Sequence, residues 1–516
     1  MRVRLLHLSP RPLDTVVAAA RTCYSPELLT AERVAADGVD DPAARRRALE
    51  RRDRLARSVL EAGHLTTWQH THLHLAIEGV SRLALWCFLH AHPFYNSEQV
   101  SQRYVPVDRG SVHVPPALGG AARERFLEAV DAAHTAYHEL TALLEPAAER
   151  RILAGRPAWG RPVHRRRLER ARARAAREVA RAVLPLATTA NLHHTVSLLT
   201  ALRYLRAAPH PDAPGEIAEF QGRLRDGIIR AAPELEPFLP RPVPAPAGPE
   251  GGSGGGAALR RELDALLAGR TTRLLPGAEP LEAGLARAVR TVLGRTEGEL
   301  PDAEAVRLVL DPGRNPLLAD TLNLTTVDPV SRALQQVHVR FATRLSLAAD
   351  SQNQRHRMVP GARPVLGRVV DDAPDVVVPA LVADEPEASR VFAGAVERAW
   401  ESIQWLRRNG PDPALALYLL PNATAVRITE SSDLAAFHHK MRMRLCWNAQ
   451  EEIRRIAWEQ AMQVREAAPV VGGFLLPPCT IRRLAGATPY CPEGDRFCGT
   501  PVWRLGLEAQ EPPAPR

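Results

Sequence analysis

The chain has 516 residues, 45% of them hydrophobic and 24% charged, with a formal net charge of +9. That length calls for two or more domains, and the apolar content and charge are those of a soluble globular protein. No apolar run approaches the roughly 20 residues of a membrane span, and the opening MRVRLLHLSPRPLDTVV lacks a signal peptide's apolar core and cleavage site, so a cytoplasmic protein is expected. Lys440 is the only lysine, so the basicity is nearly all arginine, the side chain suited to two-pronged recognition of phosphate and carboxylate. An Arg-, Ala- and Pro-rich codon bias is the simpler account of the overall charge. Six cysteines do not suggest a disulfide scaffold, but four of them crowd the end of the chain from Cys446 onward.

In chain order, Val3 to Leu6 reads as a short strand and Leu13 to Cys23 as a helix. Residues 42 to 62 form a polar, Arg-rich helix ending near Gly63. Leu73 to Val80 alternates as a strand, and Ser81 to His90 is apolar at helical spacing. Residues 121 to 153 and 165 to 184 read as two long helices, the second stopped by Pro185. Residues 191 to 208 and 216 to 231 read as further helices. The run PRPVPAPAGPEGGSGGGAA cannot pack a core and reads as a linker, residues 241–258, dividing the chain almost in half. Beyond it the order of events repeats. Val337 to Thr343 is a candidate strand, Leu345 to Gln354 a helix leading into Arg355-His356-Arg357, and 385 to 409 a long helix. Leu420-Pro421-Asn422-Ala423-Thr424 echoes Leu184-Pro185-Leu186-Ala187-Thr188, and Phe437 to Arg465 is helical with a break around Trp447. Two copies of one helix-rich α+β domain with a small sheet, residues 1–240 and 259–516, are the simplest account.

The stretch Gly63 to Val105 carries the strongest functional signal. It contains Gly-His-x-Thr-x-x-x-His from Gly63 to His70, then an apolar strand, then Gly79-Val80-Ser81-Arg82, then Ser101-Gln102-Arg103-Tyr104. This resembles the flavin-dependent thymidylate synthases, whose pattern is GHxSxxEH, GVSR, QxxRHR and SxRY. Ala20 to Pro26 is similar to the family's opening, and Leu445 to Arg454 resembles its late helix. Cys491-Pro492-Glu493-Gly494 with Cys498-Gly499 resembles a cysteine-bearing tail of one branch. The resemblance spans both halves and implies a fused tandem. It implies FAD, with NADPH and methylenetetrahydrofolate as co-substrates, reductive methylation of dUMP to dTMP, and sites shared between subunits of a homotetramer. Two of these tandem chains would recreate that four-domain assembly, so a homodimer is expected.

Each half keeps a different part of the pattern. In the first half Cys87 replaces the Gln, and His90-Ala91-His92 replaces RHR. What it keeps is His64 and Thr66 for flavin and Ser101, Arg103 and Arg181 for the dUMP phosphate. The family's flavin-contacting Asn falls on Ser197 and its uracil-binding Arg on Ala208. The second half keeps Gln352, Arg355, His356, Arg357 and the uracil arginine Arg444. It has Asp328-Pro329-Val330-Ser331 at GHxS, Leu417 at the position of Arg181, Asp433 at the Asn and Asn448 at the late His. The expectation is one composite site: Gln352, Arg444, Ser101, Arg103 and Arg181 on dUMP, and His64, Thr66, Arg355, His356 and Arg357 on flavin, with Arg355 and Arg444 nearest the chemistry. Asp433 is unfavourable to a flavin pyrophosphate. A related nucleotide C5-hydroxymethylase and a non-catalytic nucleotide-binding protein are the alternatives.

Cys446, Cys479, Cys491 and Cys498 could hold structural zinc as thiolates or stand as reduced thiols, their spacings being long and without a CxxC pair. Cys23 and Cys87 read as small apolar helix residues. His70, His72 and His74 share one strand face and are expected to be structural. The basic run Arg161 to Arg181 carries Glu169 and Glu178, which favours a solvated helix over a nucleic-acid surface.

Overall fold

The computed structural model describes residues 1–244 and 255–512. Strands β1 (Arg2–Leu8), β2 (His72–Ser81), β3 (Asn96–Gln99) and β4 (Thr189–Ser197) form an antiparallel sheet in the order β1-β2-β4-β3. In the second half β5 (Thr272–Leu274), β6 (His338–Ser346), β7 (Gly361–Ala362) and β8 (Ala425–Asp433) form another, in the order β5-β6-β8-β7. The topology repeats, so the protein is a helix-rich α+β tandem with a small sheet in each half. Alternation drives the strands: Leu73, Leu75 and Ile77 of β2 are fully buried, and Val426, Ile428, Glu430 and Ser432 make the buried face of β8.

The principal helices are α1 (Gly120–Gly155), α2 (Arg165–Ala180), α3 (Leu198–Arg206), α4 (Pro214–Ala231), α5 (Leu347–Asn353), α6 (Pro386–Asn409), α7 (Leu434–Arg444) and α8 (Glu451–Ala467). The long α1 packs against α6, burying Phe126, Tyr137, Leu140 and Leu144 on one and Phe392, Val396, Trp400 and Ile403 on the other. The main core is continuous between the halves, taking in Leu73, Ile77 and Leu184 from the first and Trp400, Leu420 and Ile428 from the second. Phe341, Phe437, Leu285 and Val306 belong to a second core inside the second half.

The two halves meet about a pseudo-twofold axis at the echoed Leu-Pro-x-Ala-Thr segments. Leu186 N donates to Leu420 O (2.9 Å) and Ala187 N to Tyr418 O (2.7 Å), while Asn422 N donates to Leu184 O (2.9 Å) and Ala423 N to Ala182 O (2.8 Å). Pro185 and Pro421 face each other across this antiparallel bridge. Such reciprocal pairing is the isologous pattern of a C2 dimer, here within one chain.

Both copies also carry the same strand-to-helix clamp. Ser81 donates from N and Oγ to Glu216 of α4 (2.8 and 2.5 Å), and Ser346 donates likewise to Glu452 of α8 (2.6 and 2.6 Å). Each serine Oγ also caps the helix that follows, accepting from Ala84 N (3.0 Å) or Ala349 N (3.1 Å).

Several expectations are corrected. Residues 191–197 belong to β4, not a helix; Ala190, Leu192, His194 and Val196 point into the core at period two, and only Leu198–Arg206 is helical. Arg82–Ala84 runs into a π-turn at Leu85–Leu89 instead of a regular helix. Helix α2 ends at Ala180 and tightens through Arg181–Val183 before Pro185. Of the linker, residues 245–254 lie outside the described residues, and its last residues already belong to a helix, Gly255–Leu267. Cys23 is exposed just past its helix, whereas Cys87 is buried as expected. The second half adds strand β8 and helices Leu281–Leu293 and Asp302–Leu310, which the sequence did not single out. Among the described residues no helix is long and apolar enough to cross a membrane.

Candidate active site between the two halves

All the retained residues but His64 and Thr66 lie near the contact between the two halves. From the first half, Ser101 Oγ accepts from Arg103 N (3.2 Å), and Arg103 reaches Glu178 of α2 (2.5 Å) and the Asn448 carbonyl of the second half (2.8 Å). From the second half, Arg444 donates from Nε to His356 Nε2 (2.7 Å) and from Nη2 to the Gln352 carbonyl (2.6 Å). Burial pushes the Arg444 guanidinium down to about 10, with Arg103 and Arg355 adding repulsion. Residues of both halves therefore share one electropositive zone, and Arg444 stays cationic at neutral pH.

Arg181 lies on the tight turn after α2, 7% exposed, its Nε donating to the Glu178 carbonyl (3.2 Å). Burial pushes its guanidinium down to about 10, partly countered by Glu178. Its Nη2 is buried with no hydrogen-bond partner among the described residues. A buried cationic donor left without an acceptor is costly, and an anionic ligand would satisfy it. Arg181 lines a cavity of about 270 Å³ with Ala182, Glu178, Ser346, Gln450 and Glu452. Two other retained residues bond to its lining without lining it themselves: Arg103 holds Glu178, and Gln352 Nε2 donates to Gln450 Oε1 (3.0 Å). The cavity thus has an arginine floor and walls from both halves.

The Arg355-His356-Arg357 turn docks on the first half. Arg355 Nη2 donates to Ser97 O (3.0 Å) and pairs with Glu98 (3.2 Å), and Arg357 lies over the Tyr95 ring (5.4 Å). Burial, followed by Arg444 and Lys440, holds His356 well below the ordinary histidine range, which leaves its Nε2 free to accept from Arg444. A second cavity of about 450 Å³ is lined by His356, Arg357, Gln354, Asp433 and, across the dyad, His90 and His92. Gln354 Oε1 is buried there without a partner among the described residues. Asp433 caps α7, accepting from Ala436 N (2.7 Å), as Ser197 caps α3 through Thr200 N (3.2 Å).

Not every candidate joins this cluster. His64 and Thr66 are exposed ahead of β2; neither lines the second cavity nor hydrogen-bonds to Arg355, His356 or Arg357. His72 and His74 share the outward face of β2, where His74 Nε2 lies 3.0 Å from His193 Nδ1. The basic run is partly solvated and partly ion-paired: Arg161, Arg166 and Arg170 are exposed, Arg172 engages Glu145 and Glu149, Arg165 pairs with Glu169, and Arg167 donates to Phe497 O (2.7 Å).

Cys446, Cys479, Cys491 and Cys498, all free thiols, line one pocket of about 20 Å³ with Trp447 and Phe497. Burial pushes Cys446 up to about 11 and Cys479 to about 12, with the neighbouring thiols adding to both. Among the described residues no three His, Cys, Asp or Glu side chains are arranged to hold a metal ion.

Sequence reasoning missed three contributors: the clamps Glu216 and Glu452, the buried pair Glu430–Lys440, and Trp86, whose indole crosses the dyad to Asp350 (2.8 Å). The lone lysine was the one visible signal for the second.

A family model described as thymidylate synthase complementing protein matches residues 4–234 and 289–470. The chain is similar to proteins named flavin-dependent thymidylate synthase. It is 34% identical to that of Mycobacterium sp. (strain JLS) over 160 residues, 30% of this chain and 58% of that protein. It is 27% identical to that of Clostridium tetani over 237 residues, 46% of this chain and 85% of that protein. The chain therefore spans little more than half the length of the mycobacterial relative it matches.

Proposed function

The chain belongs to the thymidylate synthase complementing family, and from that premise we propose that it is a flavin-dependent thymidylate synthase-like enzyme with one composite site per chain. In this reading residues 1–240 and 259–516 are two family domains joined by the 241–258 linker. The observation that carries it is the buried guanidinium of Arg181, whose Nη2 has no hydrogen-bond partner among the described residues and which lines a cavity walled by both halves. An anionic nucleotide, dUMP, completes that charge. Arg181, Ser101 and Arg103 take its phosphate, Arg103 exchanging Glu178 for the ligand; Gln352 and Arg444 take the base. Charge-assisted, two-pronged contacts of this kind are strong and orienting.

The second cavity, with His356, Arg357 and the unsatisfied Gln354 Oε1, offers polar groups that fit part of FAD, and Arg355, on the same turn, is assigned both to flavin and to orienting the base of dUMP. His64 and Thr66, exposed in the first half, are assigned to flavin held between chains, which favours a homodimer. Bound FAD, reduced by NADPH, would supply the hydride that completes methylation with the methylenetetrahydrofolate carbon; the protein's own share is positioning and electrostatics. A nucleotide C5-hydroxymethylase would use the same folate carbon, and the mass of the product formed from dUMP separates the two. Asp433 favours a different reading, a flavin-free nucleotide-binding protein, since its carboxylate already takes the N–H at the head of α7. Purified protein that takes up no FAD would select it.

The decisive experiment substitutes Arg103→Ala and Arg355→Ala singly and titrates dUMP by calorimetry. Each change is expected to weaken binding at least about tenfold, roughly 1.4 kcal/mol. Nucleotide binding that survives both changes removes the composite site. The convergence of four thiols from separate segments supports structural zinc at Cys446, Cys479, Cys491 and Cys498, which requires the sulfurs to close to bonding distance. About one zinc per chain by elemental analysis is expected, and zinc-free folded protein rules it out.

A further inference from the structure

The only lysine of the chain is buried in the half that keeps the RHR turn. Lys440 lies on α7, one turn before Arg444, and is 1% exposed. It forms an ion pair with Glu430 of β8. Glu430 also accepts from Asn353 Nδ2 (2.9 Å), at the end of α5, and from Gln460 Nε2 (3.0 Å) of α8. Asn353 stands two residues before Arg355. Two elements carry the site, the α5 end with its turn and helix α7. They are therefore tied twice: through Arg444 to His356 and Gln352, and beneath that through Asn353, Glu430 and Lys440.

The first half shows that the fold does not need this network. At the equivalent positions it has Phe88, His194, Tyr204 and Leu224, a set without an ion pair in which His194, Tyr204 and Leu224 are buried and Phe88 packs against the Tyr204 ring. Stability alone gives no reason to keep a buried ion pair, because desolvation offsets the attraction and apolar replacements are often neutral or better. The pair is present where Arg355, His356, Arg357 and Arg444 are present, and absent where they are lost.

We propose that Glu430 and Lys440 are positioning residues that fix α5 against α7, so that Arg355 and Arg444 address one bound nucleotide. The inference rests on the reading of the composite site as a dUMP site. A second consequence concerns His356. Arg444, Lys440 and His439 face it from α7 and Arg355 from its own turn; Asp433, His90 and His92 line the same cavity, and Glu430 lies behind Lys440. The ammonium of Lys440 is one of the charges that hold His356 neutral, so that its Nε2 accepts from Arg444.

The test compares the wild-type chain, Lys440→Met and the double variant Lys440→Met/Glu430→Leu, reading the thermal midpoint and dUMP affinity from pH 5 to 8.5. Lys440→Met strands a buried carboxylate and is expected to lower the midpoint. The double variant is expected to recover part of the midpoint, since Asn353 and Gln460 lose their acceptor, to remain at least tenfold weaker for dUMP, and to show the acid limb of binding moved to higher pH as His356 protonates more easily. A double variant with wild-type affinity and pH profile would show that the pair only fills the core, and would overturn the proposal alone. A wild-type chain that binds no dUMP overturns this inference and the composite-site reading together.

Discussion

Ala182 and Tyr418 occupy equivalent places before the two paired Leu-Pro segments, and the space beyond them differs accordingly. Beside Ala182 lies the cavity floored by Arg181 and walled by Ser346 and Glu452. At the twin position Leu417 replaces the arginine, and Tyr418, 2% exposed, fills the space; its hydroxyl donates to Glu216 Oε2 (2.9 Å), with His113 packed against its ring. The other end of the twin is filled as well. Where the second half has the RHR turn backed by Glu430 and Lys440, the first has His90 stacked on Tyr95, and His92 and His194 both hydrogen-bonded to the Tyr204 hydroxyl (2.7 and 2.9 Å). The two copies thus share their backbone pairing and their Ser–Glu clamps, while side chains pack in the one where the other keeps a cavity. Interiors tolerate few voids, so a ligand site that loses its ligand is expected to be refilled.

Reciprocal substitutions test that comparison most severely. Tyr418→Ala deletes a buried ring and is expected to cost about 3–5 kcal/mol in denaturant unfolding. It should not create a second nucleotide site, because Leu417 leaves no arginine there; calorimetric stoichiometry with dUMP should stay at one per chain. Two nucleotides per chain would mean that the ring alone closed the twin. Ala182→Tyr places the twin's plug in the open cavity and is expected to weaken dUMP binding about a hundredfold, roughly 2.7 kcal/mol. Unchanged affinity would place the nucleotide elsewhere.

Acid should weaken the fold through neutral histidines in both halves, His438 and His439 in the second and the Tyr204 cluster in the first. Burial pushes His194 down to about 3 and His92 to about 4, below the ordinary unfolded value. Below about pH 6.5 the unfolded chain binds protons that these rings refuse, so stability falls as pH drops toward the folded values. Between pH 7.5 and 5.5 each ring contributes about 1.4 kcal/mol of that loss. His194→Gln is expected to remove one such share from the difference between unfolding energies at the two pH values; a slope identical to wild type would mean that His194 is protonated in the fold.

The sequence revealed the frame more readily than the partners. Helical spacing and period-two alternation are local, so β2, α1 and α6 could be read with few errors. Strand β4 was misread because His193 and His194 interrupt its apolar alternation, and β8 escaped notice because Glu430 and Ser432 occupy its buried face. The retained arginines were visible as motif fragments, but their convergence rests on contacts spanning hundreds of residues, such as Arg103 to Asn448. The lone lysine was conspicuous in composition, while its partner Glu430 looked like any surface carboxylate. Tyr418 carried no signal at all, because a tyrosine filling a core has no motif.

The mildest test of the comparison lies at the heads of the paired helices α3 and α7. Ser197 and Asp433 cap them in the same way, through Thr200 N and Ala436 N. Asp433→Ser copies the first half's cap into the second. Serine and aspartate cap helices about equally well, so folding stability is expected to change by no more than about 0.5 kcal/mol. The carboxylate's charge, however, disappears from the cavity shared with Arg357 and His356. If that cavity receives an anionic cofactor, FAD affinity should rise several-fold, on the order of 0.5–1 kcal/mol for one charge near a helix N-terminus. The gain should shrink at high salt, since the effect is electrostatic. A variant whose FAD affinity, measured by flavin fluorescence quenching, equals wild type at low salt would mean that the two helix heads differ without consequence for flavin, and that the cofactor, where bound, lies away from α7.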